Sequence, residues 1–393
     1  MKTKLILFKG GVETQEFFSF ELARYFRKMG YEIFFYDFMN EQQSFMDMTD
    51  FYEMGNTVMF TFNFHGLEAE PFIYDTHGIS YWQRNQIPVF NMVLDHPYYY
   101  HKYIPLLPDN YHQISIDRLH RTYMKRYFPD LDSAAFIPLG GTQLRDREVM
   151  PMEERPIDIV FTGNYTRPET FEKYIKDMDQ EYIHFYHTII DELIQYPSRT
   201  LEEVAERRMK EEIGRMSDRQ MRDCYPNMIF IDLWVRFTYR EKAVRALVDS
   251  GHQVHTFGAG WNALSCKHPE NLIQGGGVNS RKCLEMIAQS KISLNVMPWF
   301  KDGAHDRIFN SMLNGAVSLT DESKYLKEVL QDGKNVAFYQ PENMDRLGDI
   351  VDVLLNDKAR LKEMAECGYQ QAKTVHTWKN RAEQIQSYIL RCE

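Results

Sequence analysis

Short apolar runs alternate with helix-length amphipathic stretches from the start of the chain, the pattern of parallel strands joined by crossover helices. Residues 5–8 (Leu-Ile-Leu-Phe) read as a buried strand, Gly10-Gly11 as a turn, and 13–29 as a helix closed by Gly30. Further strand-like runs follow at 33–37, 58–62, 89–94, 113–116 and 135–138. Together they complete one doubly wound sheet.

After Ile137-Pro138-Leu139-Gly140-Gly141 comes a polar stretch with Pro151 and Pro156, and a new strand starts at 157–162. This predicts a hinge near residues 142–155. Residues 169–222 carry mixed charges and helical periodicity but no strand pattern, which predicts a helical insertion with a solvated face. Strand-like segments resume at 229–234, 253–257, 292–296, 316–319 and 336–339, with helices between them. The expected architecture is α/β, with two Rossmann-like domains in one chain at 1–145 and 156–374.

Composition keeps this globular picture: of 393 residues 44% are hydrophobic and 26% charged, far from the usage of disordered chains. The net charge of -10 argues against a general binder of nucleic acid or anionic membrane, so any anion site must be built locally. Five cysteines, odd in number and without a Cys-x-x-Cys pair, suggest neither a disulfide framework nor a zinc cluster. No apolar run approaches the roughly 18–20 residues of a membrane span, and residues 5–8 are about half the core of a signal peptide. A soluble, cytoplasmic protein is expected. Aromatic residues, at 14%, suit a cleft that stacks on flat or ring-shaped ligands as well as a large core.

In open parallel sheets ligands bind beyond the carboxyl ends of the strands, where loops converge and helix N-termini present free N–H groups. In the second domain these loops hold Gly163, Asn164 and Arg167; Gly258, Gly260 and Trp261; Gly276 and Asn279; and the long stretch with Lys301, Asp302, His305 and Arg307. Glycines there let the backbone approach a diphosphate, while His305 and Arg307 at a helix start add charge to its dipole. Gly258-Ala259-Gly260-Trp261-Asn262-Ala263 also spells a dinucleotide fingerprint, but it does not follow the domain's first strand and lacks the later acidic residue. That argues against a nicotinamide cofactor. Asp130-Leu131-Asp132 and Asp177-Met178-Asp179 have the Asp-x-Asp spelling of a metal site, but the first follows Pro129 in a loop and the second lies in the helical insertion. Both read as surface carboxylates, and His77 and His305 do not form a zinc-type pair.

Residues 292–296 (Ile-Ser-Leu-Asn-Val), 302–316 (Asp-Gly-Ala-His-Asp-Arg-Ile-Phe-Asn-Ser-Met-Leu-Asn-Gly-Ala) and Thr320-Asp321 carry a resemblance to a known family. This stretch resembles the donor-binding core of GT-B glycosyltransferases, in the CgeB-like, group 1 branch of bacteria. The resemblance covers 157–390 well and the N-terminal domain loosely. It implies two Rossmann-like domains facing across a cleft, with a last helix at 377–390 returning to the first. It also implies transfer of a sugar from a nucleotide donor, UDP-linked, to a glycan, protein or surface polymer, without a metal or other cofactor. Where many retaining members have two glutamates eight residues apart, this chain has Asp302 and Asn310, so the stereochemical outcome stays open. Asn310 can still bond ribose hydroxyls, and Asp321 joins the donor-side candidates.

An inverting transfer needs a base for the acceptor hydroxyl, and the resemblance places it in the first domain. Asp95-His96 at the end of a strand-like run is the best-placed pair, with His77 second and Gly10-Gly11 flooring the acceptor side. Two other readings stand beside this one: a nucleotide-sugar 2-epimerase of the same fold, and a non-catalytic GT-B subunit that engages a partner protein through 169–222.

Overall fold

The structure, a computed structural model, describes residues 3–146 and 148–392. The chain divides into two compact units, the first running to Gly140 and resuming at Trp378, the second Gly141–Thr377. The segment 142–155 belongs to the second unit: the N–H groups of Thr142 and Leu144 donate to the side chains of Asn310 and Asn314, at 2.8 and 2.9 Å.

The first unit is built on β1 (Lys4–Lys9), β2 (Glu32–Asp37), β3 (Thr57–Phe62), β4 (Val89–Val93), β5 (Tyr111–Ser115) and β6 (Asp132–Phe136). All pair in parallel, in the order β2-β1-β3-β4-β5-β6. Every residue of β3 and β4 is buried, as expected for central strands covered on both faces. The first helix, Glu13–Lys28, and the last, Trp378–Arg391, cover the same sheet: Phe18 packs on Phe62 (ring centroids 5.7 Å) and on Trp378 (5.0 Å). Chain order reverses direction between β1 and β3, which makes their carboxyl ends the natural crevice of this sheet.

The second unit repeats the plan with β7 (Ile157–Thr162), β8 (Val254–Phe257), β9 (Leu272–Gly276), β10 (Ser290–Asn295), β11 (Val317–Asp321) and β12 (Ala337–Tyr339), in the order β12-β11-β10-β7-β8-β9. Here the reversal falls between β7 and β10. These are the two Rossmann-like sheets expected from the alternation of apolar runs.

Three local expectations need correction. Residues 229–234 are not a strand but open the helix Ile229–Asp249, whose buried residues Ala243, Val244, Leu247 and Val248 recur at helical spacing. Its first turns are rich in β-branched and aromatic residues, which mimic a strand over a short window. The sixth strand is instead β9, of which only Leu272 is buried; an edge strand with solvated faces and glycines leaves no apolar run to read. Residues 169–222 do form helices, Gln180–Gln195, Leu201–Ile213 and Asp218–Cys224, the latter two opened by capping boxes at Thr200/Glu203 and Ser217/Gln220. Their charges are not all solvated, because Glu192 is buried and ion-paired with Arg199, Arg207 and Arg208.

Candidate active site

Beyond β7 and β8 the chain is held by backbone contacts that admit only glycine. A Cβ on Gly258 would lie 2.2 Å from the Gly163 carbonyl oxygen, and one on Gly260, at φ +91°, 2.0 Å from the Tyr165 carbonyl oxygen. The Gly163 N–H donates to Phe257 O at 2.7 Å and the Gly258 N–H to Gly276 O at 2.8 Å. These two N–H groups are therefore not available to a diphosphate. Trp261 is buried, stacked on Tyr165 at 5.0 Å, and its indole N–H donates to Gly163 O at 2.8 Å. It is core, not an open stacking platform. Asn164 accepts from the Ala259 N–H at 2.9 Å, Arg167 donates to Ala263 O at 2.8 Å, and Asn279 caps the helix Ser280–Ile287. What the loops build is a rigid wall beside the crevice between β7 and β10.

That crevice contains Arg307. The chain leaves β10, turns through residues 296–304 and enters the helix Asp306–Leu313, whose first turn presses the Arg307 guanidinium against Gly163: a Cβ there would meet Nη2 at 3.3 Å. The guanidinium carbon lies 5.8 Å from the centre of the Phe161 ring, and the buried Nη1 meets no hydrogen-bond acceptor among the described residues. Burial lowers the pKa of Arg307, the neighbouring Asp306 and Cys283 oppose the shift, and Arg236 adds to it. Arg236 and Arg240 come from the helix Ile229–Asp249, four residues apart on one face, and both lie over the Trp299 ring, at 4.3 and 5.3 Å. Arg240 also donates to the Asn164 carbonyl at 2.8 Å. Three guanidinium groups thus gather where the strand order reverses.

The remaining donor-side candidates frame this cluster. His305 was expected to carry charge and does not: burial, with Arg307 and Arg240 nearby, brings its pKa down to about 4 against the pull of Asp306. Its Nδ1 lies 2.7 Å from Asp306 Oδ1 and 3.3 Å from the Arg307 N–H, at the cap of the helix. Asn310 is buried, with its amide donating to Asp306 (2.8 Å) and accepting from Thr142 (2.8 Å), so it braces the helix from inside. Asp321 is buried too. Both its oxygens accept from the Met297 N–H, at 2.9 and 3.1 Å, and burial pushes its pKa up to about 7. It shapes the loop after β10 rather than facing a ligand. Lys301 donates to the carbonyls of Pro197 and Pro298, Asp302 is half-buried beside it, and Gly276 is exposed on β9.

In the first unit the crevice between β1 and β3 gathers a second group. Gly10, at φ +78°, approaches Asp37, and Gly11 faces His65, whose Cε1 a Cβ would meet at 2.8 Å. Asn63 and Phe64 follow β3 in the left-handed region, at φ 48° and 69°. Two consecutive non-glycine residues in that region mark stored strain. Asn63 fastens the neighbouring loop: its Oδ1 accepts from the Leu94 N–H at 2.7 Å and its amide donates to Asp95 Oδ2 at 3.2 Å, which Tyr100 also reaches at 3.2 Å. His96 packs among rings, with Tyr98, His120 and Tyr123 at 4.0, 4.6 and 4.7 Å. His77 sits on an exposed turn, its N–H on Asp75 at 2.9 Å. Burial lowers the pKa of His65, which favours the neutral imidazole.

Comparison with known proteins bears on both sheets. Residues 240–387 match a family described as glycosyl transferase-like. The chain matches an α-glucosyltransferase in complex with UDP-glucose and DNA containing an abasic site (12% identity, 99% of each chain, TM-score 0.55). It also matches T4 phage BGT in complex with UDP and Mn2+ (13% identity, 97% of this chain and 98% of that one, TM-score 0.53) and Anabaena Alr3699/HepE in complex with UDP and glucose (10% identity, 99% and 100%, TM-score 0.52). The protein has the GT-B glycosyltransferase fold. No curated protein sequence matches the chain. Within this GT-B fold the family match opens at Arg240 and takes in β8 to β12 and Arg307.

Arg236, Arg240, His65 and Asn63 are the residues that sequence reasoning missed. The two arginines were hidden by the reading of 229–234 as a strand; as a helix, their spacing of four would have set them on one face. His65 had a visible signal, since Asn63-Phe64-His65-Gly66 directly follows an apolar strand.

Proposed function

We propose that the protein transfers a sugar from a nucleoside-diphosphate donor, UDP-linked, to a hydroxyl of a glycan, protein or surface polymer, with no metal at the donor site. The observation that carries this reading is the Arg307 guanidinium, buried at a helix start at the strand-order reversal of the second sheet with an Nη1 that no group among the described residues satisfies. A diphosphate oxygen supplies the missing acceptor. As the glycosidic bond breaks, negative charge grows on the departing diphosphate, and Arg307 with Arg236 and Arg240 stabilises it in place of a cation. His305, uncharged, offers its imidazole to a donor hydroxyl. On the acceptor side the reading assigns proton removal to Asp95, held by Asn63, or to the neutral His65.

Calorimetric titration of the full chain with UDP, with and without EDTA, tests the donor site. Unchanged affinity after chelation is the expected result; collapse of binding on chelation would overturn the metal-free reading, a pointed contrast since T4 phage BGT is in complex with both UDP and Mn2+. Incubation with the donor alone separates transfer from epimerisation, because only an epimerase converts its donor without an acceptor.

A further inference from the structure

The amino ends of β5 and β6 lie at the opposite edge of the first sheet from the Gly10, Asn63 and Asp95 loops. There His112 on β5 and Asp132, the first residue of β6, are paired across the ladder, with Nδ1 and Oδ2 2.7 Å apart. The helix Trp378–Arg391 ends beside them, and the next residue, Cys392, is tied back by its N–H to the carbonyls of Tyr388 and Ile389 at 3.2 and 3.1 Å. One ligand atom from each of His112, Asp132 and Cys392 falls within 4.8 Å of the other two. A tetrahedral ion with bonds of about 2.0–2.3 Å places its ligands roughly 3.3–3.8 Å apart, so the His112–Asp132 pair opens from 2.7 Å and the thiol draws in as the ion enters.

The surroundings hold these groups in place. The His112 ring stacks on Phe90 at 4.7 Å and 18°. The Tyr388 hydroxyl donates to Asp132 Oδ2 at 2.8 Å, so an outer group holds one of the three donors in place. Outer partners of this kind orient metal ligands. One imidazole, one carboxylate and one thiolate make a mixed set that suits zinc, whereas the sulfur disfavours magnesium and calcium.

We propose that His112, Asp132 and Cys392 bind one Zn2+ ion, with water as the fourth ligand, and that the ion fastens the end of the last helix to the sheet. Binding replaces the thiol proton of Cys392, which is released to solvent, and converts the His112–Asp132 contact into two metal bonds. The site is independent of the sugar-transfer reading, because it lies at the other edge of its sheet.

The test is a titration of the reduced, EDTA-stripped and desalted full chain with Co2+. One equivalent should produce a thiolate-to-cobalt charge-transfer band in the near ultraviolet and visible bands of tetrahedral intensity, both bleached by one equivalent of Zn2+. Cys392→Ser and His112→Ala should each abolish the thiolate band, and Tyr388→Phe should weaken binding about 10- to 100-fold, the usual effect of removing an outer partner. Zn2+ should raise the thermal midpoint of the wild-type chain and not that of Cys392→Ser, which follows the last helix and leaves its packing intact. The absence of a thiolate band at millimolar cobalt, or a band that persists in both the Cys392 and His112 variants, would overturn the proposal.

Discussion

Replacing Arg307 with methionine should move stability and nucleotide affinity in opposite directions. The guanidinium is pressed against Gly163, its Nη1 is buried without a partner among the described residues, and its pKa is lowered by burial. A buried donor without a partner costs about 1–3 kcal/mol, of which the Phe161 ring returns about 0.5–1 kcal/mol. Methionine keeps most of the aliphatic length and none of the charge, so the variant should be more stable by about 1 kcal/mol, visible as a higher urea midpoint at unchanged slope. A charge-assisted contact to diphosphate contributes about 1.5–3 kcal/mol, so UDP should bind about 10- to 150-fold more weakly. Urea unfolding followed by fluorescence and calorimetric titration with UDP read the two effects separately. A variant that lost stability while keeping wild-type UDP affinity would refute the reasoning, because the arginine would then be a structural contact and not an anion ligand.

Gly260→Ala should lower stability by more than about 2 kcal/mol, since its Cβ would sit 2.0 Å from the Tyr165 carbonyl oxygen at a positive φ; a thermal midpoint equal to wild type would contradict the packing argument. The Asp321 carboxyl holds its proton up to about pH 7 in the folded protein and only to its ordinary value when unfolded, so the stability it contributes when protonated is lost as pH rises from about 4 through 7. Asp321→Asn, which keeps an acceptor for the Met297 N–H, should therefore gain on wild type by roughly 1.4 kcal/mol per pH unit across that window, and a difference that stays flat between pH 5 and pH 8 would exclude this assignment. Glu192→Gln should cost about 1–2 kcal/mol, less than a fully buried pair because the three arginines are partly exposed; urea unfolding checks it. Of Asp95→Asn and His65→Ala, the one that removes the base should lower turnover roughly 100- to 10,000-fold while UDP affinity holds, and wild-type turnover in both would place the base elsewhere.

Strands such as β1, β3, β4 and β7 were legible because burial on both faces writes a mostly apolar run into the chain. β9 was not, because an edge strand leaves most of its side chains in water. Arg307 could be found because it stands at a helix start just beyond a strand, where the fold itself points to ligands. Its companions Arg236 and Arg240 could not, since they reach the same place from a helix some seventy residues earlier, and only tertiary packing joins them. The reverse error came with Trp261 and Asp321. Both follow or end strands at the correct edge of the sheet, yet a linear reading has no means to tell a side chain that faces the crevice from one turned into the core.

The last helix belongs to the first unit, and that dictates the order in which the protein can be finished. While the ribosome is still making residues 141–377, the sheet that begins the chain lacks the helix that covers Phe18 and Phe62, and Leu139 lacks the Arg381 donor that meets its carbonyl at 3.2 Å. The nascent first unit must therefore wait with an apolar face uncovered until residue 378 and those after it emerge, while the second unit, continuous in the chain, can close first. Vectorial synthesis is inverted here: of the two units, the one whose strands are made first is the one completed last.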